Sequence, residues 1–176
     1  MVEYTVINQC NDVQQLPIIE LNAAKSFHLY YPQSINWPTL TLNDYMNYNH
    51  HRMVWCAVLN NDTSLIIGFV VCSMHSGGNN KILHIDEIDV DPQYQRNGIS
   101  QSLLSSVYNY AKLNHTQYMT LRTFHTTPFS INGYKKFGFS ICNDEQYSHV
   151  QPFINDEFNI FPEVVNDRCT MHMHVM

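Results

Sequence analysis

The feature that most constrains the fold is a change of period on either side of Gly98. Residues 81–90, KILHIDEIDV, form a run of apolar and β-branched residues that is typical of a β-strand. After Gly98 the apolar residues recur at spacings of three and four: Ile99, Leu103, Leu104, Val107, Tyr108 and Ala111. That spacing predicts a helix with one apolar face. A strand that passes through a glycine turn into a helix predicts a fold that mixes both elements.

The rest of the chain continues to mix the two patterns, in the predicted order β-α-α-β-β-β-α-β-α-β-β. Asn60-Asn61-Asp62 is a turn signal between two apolar runs and predicts a hairpin. Thr127-Pro128 opens a short helix that Gly138 closes, and the polar segment before the last strand is predicted as a loop. We therefore expect one domain over residues 1–176, of the α/β (α+β) class, with a mixed sheet of about seven strands and flanking helices.

Composition and charge narrow the class of protein. Hydrophobic residues make up 44% of the chain and charged residues 14%, which is typical of a globular protein. The formal net charge of -6 argues against nucleic acid as a partner and weakly favours a cationic substrate. The five cysteines are scattered without a CxxC pair, so we expect buried thiols in a reducing compartment. With no signal peptide and no long apolar run, the sequence predicts a soluble cytoplasmic protein without a membrane partner.

The strand before Gly98 changes phase within its length. Leu83 and Ile85 share one face, whereas Ile88 and Val90 have the opposite parity. A β-bulge at Asp86-Glu87 would supply the extra residue, and bulges often lie beside active sites. The alternative is a strand buried on both faces, in which the phase has no meaning.

The turn between the strand and the helix is a candidate anion site. A glycine there lets the backbone approach a ligand, and the N-terminus of a helix presents unpaired N–H groups that bind phosphate without a lysine. The turn lacks the three glycines of a dinucleotide fingerprint and the GK[ST] of a Walker A loop. By itself it fits either a phosphate ligand or an ordinary turn.

Two motifs resemble those of the GNAT superfamily of N-acetyltransferases. VDPQYQRNGISQSLL is similar to the acetyl-CoA loop, which reads Gln/Arg-x-x-Gly-x-Gly/Ala after a strand ending in Val-x-Pro. TFHTTPFSINGYKKFGF is similar to a later segment of a bacterial subgroup, which reads roughly TFxxxPWNxPxYxxxGF. Ser100 departs from the first motif, and Phe129 and Ser130 depart from the second. The resemblance covers nearly the whole chain and implies a GNAT-like fold with a splayed strand at the bulge.

The resemblance implies acetyl-CoA as the co-substrate. The backbone around Ile88, Asp89 and Val90 would pair with the pantetheine arm, and Ser130 would take the place of an asparagine that helps to hold the cofactor. The pyrophosphate would be cradled by the loop and first helical turn: Gln95, Arg96, Asn97, Gly98, Ile99, Ser100 and Gln101.

Acetyl transfer to an amine needs a base for the ammonium proton and an acid for the leaving thiolate. Tyr134 matches the family's general acid by position, and Glu87 at the expected bulge is the first choice for the base. The alternatives are a core tyrosine and a structural carboxylate. Weaker candidates for the base are Asp86, Asp89, His84 and His125.

The acceptor is expected to be a primary amine of a small molecule or a peptide. Glu20 with Tyr30, Tyr31 and Trp37 would form an acidic, aromatic pocket for a cation, and the alternative is that the aromatics only pack. The expected function is therefore direct acetyl transfer in a ternary complex, with a homodimer left open. The alternative is a catalytically inactive acyl-CoA-binding sensor.

Two histidines near Cys169 suggest a metal site, but the pattern does not support one. His172 and His174 alternate with methionines in a strand, so both histidines are expected on one face. No paired ligands complete a zinc signature there or at His50-His51, and we expect no metal.

Overall fold

Strands and helices alternate along the computed structural model, which describes residues 2–8, 10, 12–48, 52–77, 80–143, 150–160 and 162–175. The strands are β1 (Tyr4–Asn8), β2 (Arg52–Leu59), β3 (Asp62–Gly77), β4 (Asn80–Val90), β5 (Tyr118–Phe124), β6 (Ser140–Cys142) and β7 (Arg168–His174). The α-helices are α1 (Leu16–Ala24), α2 (Leu42–Tyr48), α3 (Ile99–Leu113), α4 (Pro128–Phe137) and α5 (Gln151–Ile160). Short 3₁₀ helices span Lys25–Phe27, Pro32–Asn36, Pro92–Tyr94 and Val165–Asp167.

The strands form one 7-stranded sheet in the order β1-β2-β3-β4-β5-β7-β6. β1 and β2, β2 and β3, β5 and β7, and β6 and β7 pair antiparallel. β4 and β5 pair in parallel, with Ile82–Ile85 opposite Tyr118–Leu121. The parallel pair is joined through α3, as the crossover rule for parallel strands requires. The predicted mixed sheet of the α/β class is confirmed.

One helix differs from the sequence expectation. The segment before the last strand was expected as a loop, but Gln151–Ile160 forms α5. Val150 and Ile154, four residues apart, belong to a small cluster with Ile82, in which Tyr118 and Cys142 also pack. Polar residues interrupt the apolar pattern of this helix. Contacts with the rest of the fold, rather than a strong apolar face, therefore stabilise it.

The chain divides into two compact units, and the first comprises Met1–Ser73 and Asp86–Tyr110. Its main core cluster joins α1 and α2 to β2 and β3 through buried side chains: Leu16, Ile19, Tyr45, Val54, Cys56, Val58, Ile66, Phe69 and Val71. The Tyr45 and Phe69 rings meet edge to face at 5.6 Å. A second contact joins Trp55 of β2 to Tyr110 of α3, with ring centroids 5.3 Å apart. Alternate side chains of β2 point to opposite faces of the sheet, so helices pack against both faces of this strand.

The expectation of separate cysteine thiols is wrong for one pair. Cys10 and Cys56 form a disulfide, with their Cα atoms 5.8 Å apart. Cys10 donates its backbone N–H to Val54 O at 3.0 Å, which lays the segment after β1 beside β2. Their separation of 46 residues hides this proximity in the sequence. Cys72 is a buried thiol, as expected.

The second unit comprises Met74–Ile85 and Ala111–Met176. β5 lies between β4 and β7, with Thr120 opposite both His84 and His172. α4 begins after Thr127 and ends at Gly138, which has a φ of 120°, as the sequence predicted. A side chain is unfavourable at that φ, so glycine is the natural residue there. A single domain over residues 1–176 stays a prediction.

No helix in the described parts of the chain is long and apolar enough to cross a membrane.

Candidate active site

The turn after β4 is built by side-chain caps on its own backbone. The Asp91 carboxylate accepts from the N–H of Gln93 at 2.9 Å and thereby caps the Pro92–Tyr94 turn. The Gln95 side chain donates back to Val90 O at 3.1 Å. The Asn97 amide donates to Tyr94 O at 3.0 Å and to Gln95 O at 3.1 Å. These bonds hold the loop in one path between the strand and α3.

Two residues of this loop have left-handed backbones, Arg96 with a φ of 63° and Gly98 with a φ of 81°. Ser102 N–H bonds Gly98 O at 3.0 Å and closes the first turn of α3. The N–H groups that precede it in the helix have no intrahelical acceptor. Ile99 is buried and anchors the turn, whereas Gln95, Arg96, Ser100 and Gln101 are exposed. The predicted turn is therefore present, and the N–H groups at the start of such a helix can bind an anion such as a phosphate group.

Tyr4 of β1 supports the start of α3. Its hydroxyl and that of Ser102 share a hydrogen bond of 2.8 Å. A Cβ placed at Gly98 would lie 3.8 Å from the Tyr4 hydroxyl, which is ordinary contact. Space therefore does not require glycine at position 98, and it is the positive φ that favours glycine there.

Gly68 of β3 allows the end of β4 to come close. A Cβ at this position would lie 3.0 Å from Asp89 O and 3.2 Å from both Val90 Cγ2 and Ile99 Cγ2. Ile67 O also accepts from Asp91 N–H at 3.0 Å. Gly68 is not among the residues predicted from the sequence, although a glycine inside a strand is a known sign of close backbone approach.

The side chains of β4 are consistent with the expected bulge. Phe69 faces Tyr45 of α2, and Ser73 has the same parity on β3. Ser73 Oγ donates to Asp86 Oδ1 at 2.9 Å, while the charge of the next residue, Glu87, acts on Tyr45. A bulge would bring two successive side chains to one side in this way. However, Ile82–Ile85 are all buried, as the alternative required, and the bulge stays a prediction.

Three carboxyl groups surround the buried phenol of Tyr45. Its hydroxyl donates to Glu20 Oε2 at 2.6 Å, and the N–H of Leu40 donates to Glu20 Oε1 at 3.0 Å. Glu87 and Asp89 act on Tyr45 from β4, and their side chains are hydrogen-bonded to each other. Thus Glu20 and Glu87, which were predicted in separate roles, belong to one group in the first unit.

Burial is the largest influence on the pKa values of Glu20, Tyr45 and Asp89. It raises the pKa of Asp89 well above the ordinary value, and the charges of Glu87 and Glu20 raise it further. Burial also raises the pKa of Glu20, although the bonds from Tyr45 and Leu40 offset part of this effect. The pKa of Tyr45 is raised far above its usual range by burial and by the nearby carboxylates, so its phenol stays neutral. Nothing in the sequence around Tyr45 indicated this role.

The aromatic residues proposed for an acceptor pocket do not share one environment. Tyr31 is buried, with its ring 5.5 Å from that of Trp37, which also lies 6.4 Å from Phe27. Tyr30 is 45% exposed. The Tyr31–Trp37 contact fits the packing alternative, and Glu20 accepts a hydrogen bond from Tyr45.

In the second unit, α4 presents Tyr134 and Ser130, which are both partly exposed. The Tyr134 ring meets Phe139 edge to face at 6.0 Å, and Tyr134 O accepts from the N–H groups of Gly138 and Phe139. Ser130 N–H bonds Thr127 O at 3.2 Å in the first turn. The roles of Tyr134 as acid and Ser130 as cofactor ligand stay predictions.

The candidate histidines either contact other side chains or lie exposed. His84 is buried and shares a 2.9 Å hydrogen bond with Thr120, whereas His125 is exposed. The Tyr118 ring contacts both His172 and His174, at 6.3 Å and 5.2 Å, so these two histidines share a face as predicted. Among the residues that the structure describes, no three His, Cys, Asp or Glu side chains are grouped as metal ligands. His50 and His51 lie outside the described residues.

Solved structures of acetyltransferases share this fold. The chain superposes on the ribosomal-protein-S18-alanine N-acetyltransferase from Escherichia coli with a TM-score of 0.67 and 13% identity, over 98% of this chain and 94% of the other. A GNAT family acetyltransferase from Elizabethkingia anophelis, solved with acetyl-CoA bound, gives 0.65 and 19%, over 98% of each chain. A chain of the NatC complex bound to Gag peptide and CoA gives 0.67 and 17%, over 99% of each.

Sequence comparison assigns the family. No curated protein matches the sequence significantly. The sequence model of the Acetyltransferase (GNAT) family matches residues 21–139, a segment that runs from α1 through the loop at Gly98 to the end of α4. Because that match covers more than half of the chain, and the fold agrees with it, this protein belongs to the GNAT family of acetyltransferases.

Proposed function

We propose that the protein is an acetyl-CoA-dependent N-acetyltransferase that transfers the acetyl group directly to a primary amine in a ternary complex. The observation that carries this proposal is the loop at Gly98, with its left-handed backbone and exposed residues, in a chain of the GNAT family. A helix N-terminus that follows such a turn stabilises negative charge, as a pyrophosphate requires.

Acetyl-CoA would lie along the end of β4 and the start of α3. The backbone of Ile88, Asp89 and Val90 would pair with the pantetheine arm, and Ser130 would add a hydroxyl from α4. The pyrophosphate would accept from the turn and first helical residues: Gln95, Arg96, Asn97, Gly98, Ile99, Ser100 and Gln101. Support comes from the exposure of most of these side chains and from Ile99, which anchors the turn in the core.

Glu87 and Tyr134 would divide the proton transfers. Glu87 would take the proton of the acceptor ammonium, directly or through water, and Tyr134 would protonate the departing thiolate. A backbone N–H near Ile88 to Val90 would polarise the thioester oxygen. The two side chains belong to different compact units, and each assignment rests on its own surroundings.

The acceptor would be the amine of a small molecule or a peptide. A net charge of -6 and the carboxyl groups of Glu20 and Glu87 favour a cationic acceptor over an anionic one. Tyr30, with its ring partly in solvent, and Trp37 would border the acceptor, while Tyr31 would support them from the core. The NatC complex, which was solved with a peptide and CoA, gives a precedent for a peptide acceptor in this fold.

We also propose a single acetyltransferase domain and a cytoplasmic location, and the disulfide bears on the location. A Cys10–Cys56 bond would be unusual in a reducing compartment, so its state in the purified protein tests this assignment.

Calorimetric titration with acetyl-CoA, followed by an amine panel read through release of free thiol, tests the function. Binding in the micromolar range with thiol release on an amine is the expected result. Binding without release on any amine would instead favour the acyl-CoA sensor. Absence of binding would overturn the assignment of the loop.

A further inference from the structure

The first turn of α3 receives no side-chain cap from the residue that precedes it. The helix begins at Ile99, and Gly98 before it has no side chain that could accept from the N–H groups of that turn. Ser102 donates its N–H to Gly98 O at 3.0 Å, and the exposed residues Ser100 and Gln101 lie between these two. This turn suits a ligand, but it needs support from outside the helix to keep its shape.

Tyr4 of β1 gives such support. Its hydroxyl and that of Ser102 share a hydrogen bond of 2.8 Å. A Cβ built on Gly98 would lie 3.8 Å from the same hydroxyl, so the Tyr4 hydroxyl lies beside the glycine turn as well as against the helix. β1 is itself paired with β2, with Tyr4 opposite Leu59. The hydrogen bond therefore ties the first turn of α3 to the sheet.

A second contact holds α3 farther along its length. Leu59 and Trp55 are four residues apart on β2, which is about 13 Å along a strand and leaves both side chains on one face. The Trp55 ring meets that of Tyr110 on α3 edge to face at 5.3 Å. Ser102 and Tyr110 are eight residues apart, which is about 12 Å along a helix. The two spacings match, so Tyr4 holds the start of α3 and Trp55 holds a point two turns later.

The remaining anchors of α3 do not depend on the Tyr4 hydroxyl. Ile99 is 1% exposed, and its Cγ2 would lie 3.2 Å from a Cβ built on Gly68 of β3. The contact between Trp55 and Tyr110 is apolar. Without the Tyr4 hydroxyl the helix therefore stays packed on the sheet, while its first turn gains freedom.

We propose that Tyr4 is a positioning residue for acetyl-CoA, whose hydrogen bond to Ser102 holds the first turn of α3 in the conformation that binds the pyrophosphate. This inference rests on the proposed function of the loop at Gly98. Tyr4 acts through Ser102 and takes no part in the proton transfers. When only a fraction of the molecules has the binding conformation, the measured affinity falls by that fraction.

The first test needs neither cofactor nor activity. Exchange of the Ser102 amide hydrogen is followed by NMR in the full chain, and Tyr4→Phe should speed it about threefold to tenfold, as expected for one lost neutral hydrogen bond. Thr5→Val is the matched control, because the Thr5 hydroxyl lies next along β1 and donates to Asn60 Oδ1 at 2.8 Å. It should leave the Ser102 exchange rate unchanged. An unchanged rate in Tyr4→Phe would overturn the proposal.

The second test is calorimetric titration with acetyl-CoA. Tyr4→Phe and Ser102→Ala should each raise the Kd about threefold to tenfold, and the double variant should be no worse than either single variant, because both remove the same bond. Thr5→Val should bind as the wild type does. Additive losses in the double variant would show that the two hydroxyls act separately, which would overturn the proposal.

The third test separates positioning of the pyrophosphate from a general loosening of the fold. S-acetyl-pantetheine carries the thioester but lacks the pyrophosphate and the nucleotide. Tyr4→Phe should lower kcat/KM for acetyl-CoA about threefold to tenfold and leave kcat/KM for S-acetyl-pantetheine at the wild-type value, with the same amine in both assays. Equal losses with the two thioesters would overturn the proposal.

Failure of this inference is distinguishable from failure of the proposed function. Wild-type protein that does not bind acetyl-CoA would overturn the proposed function and this inference with it. Wild-type protein that binds acetyl-CoA, together with an unchanged Kd in Tyr4→Phe, would overturn this inference alone.

Discussion

Two tyrosines illustrate how surroundings decide chemistry at the scale of the residue. Tyr45 is buried and donates its hydroxyl to Glu20, and burial together with the carboxylates around it raises its pKa far above the usual range. Such a phenol is a weaker acid than an ordinary tyrosine. Tyr134 is instead partly exposed on α4, with its ring against Phe139. Tyr134 therefore remains our candidate for the acid.

Replacing Tyr134 with phenylalanine removes the hydroxyl and keeps the ring contact with Phe139. If the phenol protonates the thiolate, kcat should fall by about 10²–10⁴-fold, while the Kd for acetyl-CoA from calorimetry stays nearly constant. Tyr108→Phe, on α3, is the matched control and should keep full activity. Equal losses of binding and turnover in Tyr134→Phe would rule out the role as acid.

Glycine is favoured at position 98 by the backbone conformation and not by a lack of space. Its φ is 81°, and an added Cβ would make only an ordinary contact. A β-branched residue resists this conformation by about 1–2 kcal/mol, so Gly98→Val should weaken acetyl-CoA binding about tenfold. Asparagine tolerates left-handed backbone, and Gly98→Asn should lose less affinity. Calorimetry that finds the two variants alike, or both unchanged, would contradict the assignment of the loop.

At the scale of the element, two glycines show how the same residue serves opposite purposes. Gly68 lies where β3 meets the end of β4, and a Cβ there would press on Asp89 O, Val90 and Ile99. Gly133 lies inside α4, and a Cβ there would meet nothing within 4 Å. Close packing of strands requires the first glycine, whereas the second only adds backbone freedom that folding must remove.

The two glycines predict opposite effects of one substitution. Gly68→Ala should lower the free energy of unfolding by about 1–3 kcal/mol because the strands must move apart. Gly133→Ala should raise it by about 0.5–1 kcal/mol, as expected for a helix interior. Urea unfolding of both variants beside the wild type checks this, and effects of the same sign would show that one of the two environments is described wrongly.

At the scale of the whole molecule, stability depends on groups that the sheet brings together from distant parts of the chain. The pKa values of Glu20 and Asp89 are raised in the folded protein, mainly by burial. A raised carboxyl pKa contributes stability at low pH, and this contribution is lost as pH rises from the unfolded value near 4 through the folded value. Glu20 and Asp89 are therefore expected to contribute less to stability as pH rises, in contrast to salt-bridged carboxylates.

Asp89→Asn tests whether the Asp89 carboxyl lowers the stability of the fold as pH rises. The variant cannot ionise, so its stability relative to the wild type should increase between pH 5 and pH 8 in urea unfolding. A difference that shrinks as pH rises in Asp89→Asn would contradict a raised pKa.

The Cys10–Cys56 disulfide joins residues 46 positions apart. Closing a loop of this length should stabilise the fold by about 2–4 kcal/mol, so reductant should lower the midpoint of thermal unfolding. Alkylation of unfolded, unreduced protein should modify three of the five cysteines, since two are paired. Five modified cysteines would restore the expectation of reduced thiols and a reducing compartment.

Local patterns by themselves determined the order of most elements, the loop at Gly98, and the ends of α4 at Thr127 and Gly138. These features depend on neighbours along the chain, through side-chain period, caps and backbone conformation, and such information is present in any short window. The GNAT family was recognisable for the same reason, because its motifs are short and contiguous.

Only the tertiary structure decided the rest. The Cys10–Cys56 pair, the helix α5 and the group of Glu20, Tyr45, Glu87 and Asp89 each depend on residues that are far apart in sequence. The raised pKa of Asp89 follows from desolvation and from charges on α1 and β4, which are properties of a folded environment rather than of a residue type. A sequence carries the carboxyl groups, but the distances between them, and therefore the shifts of their pKa values, exist only after the chain has folded.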